Sequence, residues 1–177
     1  MDFYRFDRQA TAFPQQIKYQ LSLLQTQLEL ASQTKKPIIL HVRDDFCAVN
    51  QLDNAYGLLI DTLLHSSART SPLVFHCFSG NQEYLQKIIA EFSHSYVSFA
   101  GNLTFKNAGI LRELSTQVPS NRLLLETDAP FLSPEPKRGQ ACLPEFFAHT
   151  ASFAAQQLHL DLEQIYLNSC QLFNLKP

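Results

Sequence analysis

The sequence predicts an α/β protein built from parallel β-α units. Two observations carry this. Short, continuous apolar runs alternate with segments of helical period, at a spacing that leaves room for a crossover helix between successive strands. Each run also turns polar at its C-terminal end, where parallel α/β folds gather their functional side chains.

In chain order, about 14–36 reads as a helix. Ile17, Leu21, Leu24, Leu28 and Ala31 recur at steps of four and three and form one stripe. Pro14 suits the first turn, Lys35 and Lys36 suit the last, and Pro37 stops the helix. "PIILH" (37–41) is a β-branched strand, followed by a helix at about 46–64 with Val49, Leu52, Leu59 and Leu63. "LVFHC" (73–77) is the second strand. Asn81 caps a helix carrying Leu85, Ile88, Ile89 and Phe92. "YVSFA" (96–100) is the third strand, then comes a helix near 107–116, and "RLLLET" (122–127) is the fourth strand. Two further helices follow, at about 143–157 and 161–173. The pattern alone leaves open whether the sheet is open or closed.

The 177 residues, 45% hydrophobic, suit one domain with a real core or part of a larger one. A net charge of -2 gives no global pull toward nucleic acid, so any anion binding is local. No apolar stretch approaches a membrane span, and "MDFYRFDRQ" lacks the pattern of a secretory signal. Cys47, Cys77, Cys142 and Cys170 are scattered without a C-x-x-C pair, which favours free thiols in a reducing cytoplasm. There is no internal repeat and no low-complexity linker.

The strands end in His41-Val42-Arg43-Asp44, in His76-Cys77-Phe78-Ser79-Gly80, in Gly101 to Lys106, and in Glu126-Thr127-Asp128. Singly, each has a structural reading: a strand-end histidine can be a satisfied structural residue, and Asp128 before Ala-Pro can simply initiate a turn. Together, two imidazoles and a carboxylate on one face match the usual ligands of a divalent hydrolytic metal. Such an ion lowers the pKa of bound water and polarises a phosphoryl or carbonyl oxygen. Arg43, Lys106, Lys137 and Arg138 lie in loops at the same face and can offset phosphate charge.

These motifs resemble the TatD-type metal-dependent deoxyribonucleases, essentially from end to end. "PIILHVRD" is similar to the family's strand motif, and "FHCFSG" (75–80) to a family signature. "SFAGNLTFKNA" (98–108) and "LLLETDAPFLSPEPKRG" (123–139) are similar to two more. The resemblance implies a (β/α)8 TIM-type barrel with one or two divalent ions (Mg, Mn or Zn) and hydrolysis of phosphodiester bonds, typically in DNA. It implies His41, His76 and Asp128 as metal ligands, with Asp128 also orienting the attacking water. Arg43, Ser79 and Arg138 lie within or beside family motifs and are assigned to substrate or phosphate contact.

Departures from the family pattern set further expectations. A (β/α)8 barrel takes about 250 residues. The family's His-x-His and Gly-Glu-x-Gly-Leu-Asp motifs are absent here, and Cys142-Leu143-Pro144 stands where the family usually shows Asn-Glu-Pro. The expectation is therefore one incomplete domain over 1–177, a partial barrel of about four parallel strands with flanking helices. Its hydrolytic activity is expected to be weak or absent, and its open sheet edges invite self-association. The alternatives are a non-catalytic half-barrel remnant or binding module, and a metal-dependent hydrolase of another ester or a cyclic amide.

Overall fold

The computed structural model of the chain describes residues 1–4, 7, 10–44 and 54–177. Its elements run α1 (Phe13–Thr34), β1 (Ile38–His41), α2 (Ala55–Leu64), β2 (Leu73–His76), α3 (Gln82–Glu91), β3 (Ser95–Phe99), α4 (Gly109–Gln117), β4 (Leu123–Leu125), α5 (Phe147–Leu158) and α6 (Leu162–Phe173). The strands form one sheet in the order β1-β2-β3-β4. β3 and β4 pair in parallel, with Val97 opposite Leu123, Ser98 opposite Leu124 and Phe99 opposite Leu125. The α/β class and the four strands with flanking helices are as the sequence predicts. The chain divides into two compact units, Met1–Val74 with Ser79–Ser95, and Phe75–Phe78 with Tyr96–Pro177.

In the first unit, Pro14 stands in the first turn of α1, and the predicted stripe is the helix's covered face, with Leu28 and Ala31 buried. The end differs from expectation. Lys35 lies past the last turn as a left-handed cap at φ 54°, its N–H donating to Ala31 O. That closure satisfies a terminal carbonyl by backbone geometry rather than by side-chain charge. Of the helix predicted over 46–64, the described part begins at Ala55; Cys47, Val49 and Leu52 lie outside the described residues. Asn54 caps α2 by accepting from Gly57 N, and Asp44 adds a second acceptor for Ala55 N at 2.8 Å. Asn81 caps α3 by accepting from Tyr84 N, as its position predicts, and Leu85 and Ile88 are buried. Phe92 closes that helix as its cap residue rather than continuing it.

In the second unit residues 96–99 of β3 and all of β4 are buried, which explains why the β4 run is continuously apolar and why β3 admits only small serines among its apolar residues. The fourth strand is shorter than predicted. Arg122 belongs to a 3-10 turn, and the strand itself ends at Leu125, just before the chain becomes acidic. α5 packs on the Gly101–Thr104 turn and α6 on β4. Asn168 of α6 is 1% exposed, and its amide donates to Ser120 O (2.7 Å) and Leu123 O (2.9 Å). This fixes the start of β4, and with it the position of the strand's functional end.

Candidate functional site

The second unit brings the end of β2 onto the ends of β3 and β4. β2 stops at His76 because Cys77 adopts a left-handed conformation, φ 46°. Phe78 then turns inward, is fully buried, donates its N–H to Ser98 O (2.9 Å) and meets the Phe99 ring edge-on at 6.1 Å. His76 is therefore held from both sides in the chain, by a buried strand and a buried aromatic.

Glu126 lies one residue past β4, and its N–H donates to Phe99 O at 3.0 Å. Side chains alternate along an extended chain, so Glu126 shares a face with Leu124, and Ser98 stands opposite Leu124. The Ser98 hydroxyl accordingly donates to one Glu126 carboxylate oxygen. The other, Oε1, lies 2.6 Å from His76 Nδ1. Asp128 approaches from the far side of the ring, its Oδ1 3.6 Å from His76 Nε2. The three side chains are 19%, 22% and 31% exposed, so they are mostly shielded yet open to a ligand.

The electrostatics follow from this geometry. The hydrogen bond to Glu126 raises the His76 pKa above its ordinary 6.5; burial works against it, and the charges of Glu126 and Asp128 add to the increase. In the neutral ring the Glu126 contact fixes the proton on Nδ1. The Nε2 lone pair then faces the Asp128 carboxylate, and either a proton on Nε2 or a metal ion between the two relieves the repulsion. An imidazole nitrogen oriented by a carboxylate behind it is the usual arrangement of a metal-binding histidine.

The donor set fits a divalent ion as a pair. Two donors on one tetrahedral ion, each about 2.0–2.1 Å from it, lie about 3.4 Å apart. The observed 3.6 Å is close to that separation. Among the described residues, no group of three or more His, Cys, Asp or Glu side chains is placed to hold a metal.

The other predicted residues have different surroundings. His41 lies in the first unit, half-exposed, with Nε2 3.2 Å from Asp2 Oδ2. Asp2 also accepts from Tyr4 N, and the Asp2–Arg43 bridge sets the N-terminal segment alongside the end of β1. The Arg43 guanidinium covers the Tyr4 ring at 3.6 Å. Ser79 is exposed, and the Tyr56 hydroxyl accepts from its N–H at 3.0 Å and lies 3.4 Å from its Oγ. Tyr56 is in turn stacked on Tyr84 at 5.3 Å. Arg138, in the second unit, lies flat over the Phe105 ring at 3.7 Å.

Two residues of the site escape the strand-end reading of the sequence. Glu126 has no assigned role there, and Ser98 sits inside a motif without one. A signal for Glu126 does exist: it is a carboxylate at the end of a fully apolar strand, in phase with Leu124. What the sequence does not show is the lateral register that sets Ser98 and His76 beside it.

The chain is similar to known proteins along nearly its whole length. A family model for TatD-related DNases matches residues 2–174. The chain is 32% identical over 146 residues to the uncharacterized metal-dependent hydrolase YabD of Bacillus subtilis, covering 82% of this chain and 52% of that protein. It is also 32% identical over 165 residues to an uncharacterized metal-dependent hydrolase of Mycoplasma genitalium, covering 92% and 58%. Among solved structures, YJJV, a TatD homolog from Escherichia coli K12, superposes with a TM-score of 0.74 at 25% identity, over 97% of this chain and 62% of the other. The chain thus spans about half the length of the curated relatives it matches. With the family model spanning almost all of the sequence, the chain belongs to the TatD-related DNase family.

Proposed function

We propose that the chain carries part of a metal-dependent phosphodiesterase site that acts on DNA. The observation that carries this reading is the His76 ring fixed by Glu126 behind it and facing Asp128 in front. The metal-dependent hydrolases among its relatives support the reaction class, and the family description supports DNA as substrate. His76 Nε2 and Asp128 are assigned as metal ligands, and His41 is assigned to the same function from its strand motif. A divalent ion held there supplies Lewis-acid polarisation of a phosphoryl oxygen and acidifies water.

The chain's own residues do the rest. Glu126 holds the Nδ1 proton and keeps Nε2 available; Ser98 holds Glu126. Asp128 orients the attacking water or takes its proton. Arg138 is assigned to phosphate contact, and Arg43 and Ser79 each carry the same assignment from their own strand motifs. The grouped pair supplies two protein ligands where catalytic zinc sites have about three. Turnover by this chain is accordingly expected to be slow.

The test is hydrolysis of a DNA oligonucleotide and of bis(p-nitrophenyl) phosphate, with manganese, with zinc and with chelator, by the chain and by His76→Ala and Asp128→Ala. Slow hydrolysis that chelator stops and both substitutions abolish is the expected result. Hydrolysis indifferent to chelator, or retained in both variants, would place the chemistry elsewhere. Cleavage of a cyclic amide but of neither phosphodiester would leave the metal and change the substrate class.

A further inference from the structure

The loop that follows Asp128 is fastened at many points, yet it presents a large aromatic ring to solvent. Phe131 N donates to Asp128 O at 2.6 Å, closing a turn directly on the candidate ligand. Leu132 is left-handed at φ 53°, a costly conformation for a branched apolar residue. Cys142 N donates to Pro130 O (2.9 Å), Ser133 Oγ to Gln140 O (2.9 Å) and Glu135 N to Thr104 Oγ1 (2.8 Å). At Gly101 the loop passes so close that an added Cβ would lie 2.3 Å from Leu132 O. Phe131 is nevertheless 67% exposed.

A single exposed aromatic by itself signals nothing. Here the ring is held out by a strained, fastened turn three residues from Asp128. The same loop and its neighbour carry Lys106, Lys137 and Arg138. Lys137 and Arg138 lie over the faces of Phe146 (5.4 Å) and Phe105 (3.7 Å). Among the described residues none of these cations is paired with a carboxylate. One exposed aromatic ring on a fastened loop that also carries cations without carboxylate partners matches the chemistry of a nucleic-acid strand, whose bases stack while its phosphates take the charge.

We propose that Phe131 is a stacking platform for the nucleobase next to the phosphodiester held at His76 and Asp128, with Arg138 and Lys106 contacting the flanking phosphates. This rests on reading the site as one for DNA, and it names the residue against which a base of the bound strand stacks. Base stacking tolerates any sequence, so the platform confers affinity for unpaired strands without base choice.

The chain contains no tryptophan, so Phe131→Trp places a single reporter at the ring. The probes are a short oligodeoxythymidylate and its abasic counterpart of equal length and charge, with calcium present, followed by Trp emission and by anisotropy of a labelled strand. Quenching by the thymidylate but not by the abasic strand is expected. Phe131→Ala should weaken thymidylate binding by about 5-fold to 100-fold and leave abasic binding unchanged. Binding of both strands without quenching, and with equal affinity in Phe131→Ala, overturns the platform while the DNA reading stands. No binding of either strand overturns both. Emission already blue-shifted before DNA is added, and moving with protein concentration, identifies a second copy of the chain as the occupant and overturns the assignment.

Discussion

Replacing Glu126 with Gln tests the site through a residue that touches neither metal nor substrate in the proposed arrangement. The substitution keeps shape and the capacity to accept from Ser98, but it removes the charge and adds an amide donor. The 2.6 Å contact to His76 Nδ1 then either becomes a neutral hydrogen bond or reverses direction, with the amide donating and the ring proton moving to Nε2. The second outcome closes the position that faces Asp128. Loss of a carboxylate behind a ligating histidine costs about 10-fold to 100-fold in metal affinity, or about 1.4–2.8 kcal/mol. Calorimetric titration of manganese or zinc into the chain and into Glu126→Gln measures this directly.

A purely structural role for Glu126 predicts a different pattern. It would lower the denaturation midpoint and leave the ring's chemistry alone. Imidazole nitrogen shifts in the metal-free protein separate the two. The wild-type ring should be the Nδ1-protonated tautomer when neutral. Its titration midpoint should drop toward 6.5 in Glu126→Gln, because the Glu126 hydrogen bond is the first cause of the raised pKa. Glu126→Asp, which keeps the charge on a shorter arm, should recover part of the affinity. Unchanged metal affinity together with an unchanged tautomer in Glu126→Gln would refute the positioning role.

Other predictions concern the scaffold that holds these groups. Gly101→Ala sets a Cβ 2.3 Å from Leu132 O and 2.9 Å from Pro134 N, both backbone atoms, so the loop must move; a loss of about 1–3 kcal/mol is expected from urea midpoints, together with weaker metal binding through the shifted Asp128. Asn168→Ala leaves Ser120 O and Leu123 O without their donor in a buried setting. Its cost of about 2–4 kcal/mol should appear in the same measurement, and a cost below that of an ordinary surface substitution would show that water replaces the amide. Burial raises the Tyr96 pKa above 10, only partly opposed by Arg122. The folded state therefore holds that proton longer than the unfolded chain does. The contribution is complete below pH 10 and lost as pH rises through the folded pKa; Tyr96→Phe should flatten this alkaline fall in stability.

How far the sequence reveals the site depends on how far apart the partners lie. Asp128 is legible because strand burial, the acidic turn and the motif coincide within a few residues. His76 is legible for the same reason. Glu126 is in plain view beside Asp128, but its meaning depends on Ser98 and His76, which lie 28 and 50 positions away and reach it through the pairing of neighbouring strands. Gly101 is similar: the residue stands within a recognisable motif, while the reason for it, a carbonyl from the loop after β4, is tertiary. The end of α1 fails for the opposite cause. Lys35 and Lys36 satisfy the charge rule for a last turn, but the local closure of Lys35 N–H on Ala31 O sets the boundary earlier.

The apolar run Leu123–Leu125 links the two levels. Its leucines are buried on both faces and draw Glu126 into a partly shielded position. A carboxylate so placed is poorly screened by water, so its hold on the His76 proton is stronger than the same contact at a surface would be. The burial that makes the strand readable as a strand is thus also what makes the first carboxylate after it effective as an orienting group. The second, Asp128, lies beyond the end of the pairing and is more exposed, which leaves its oxygens free for a ligand.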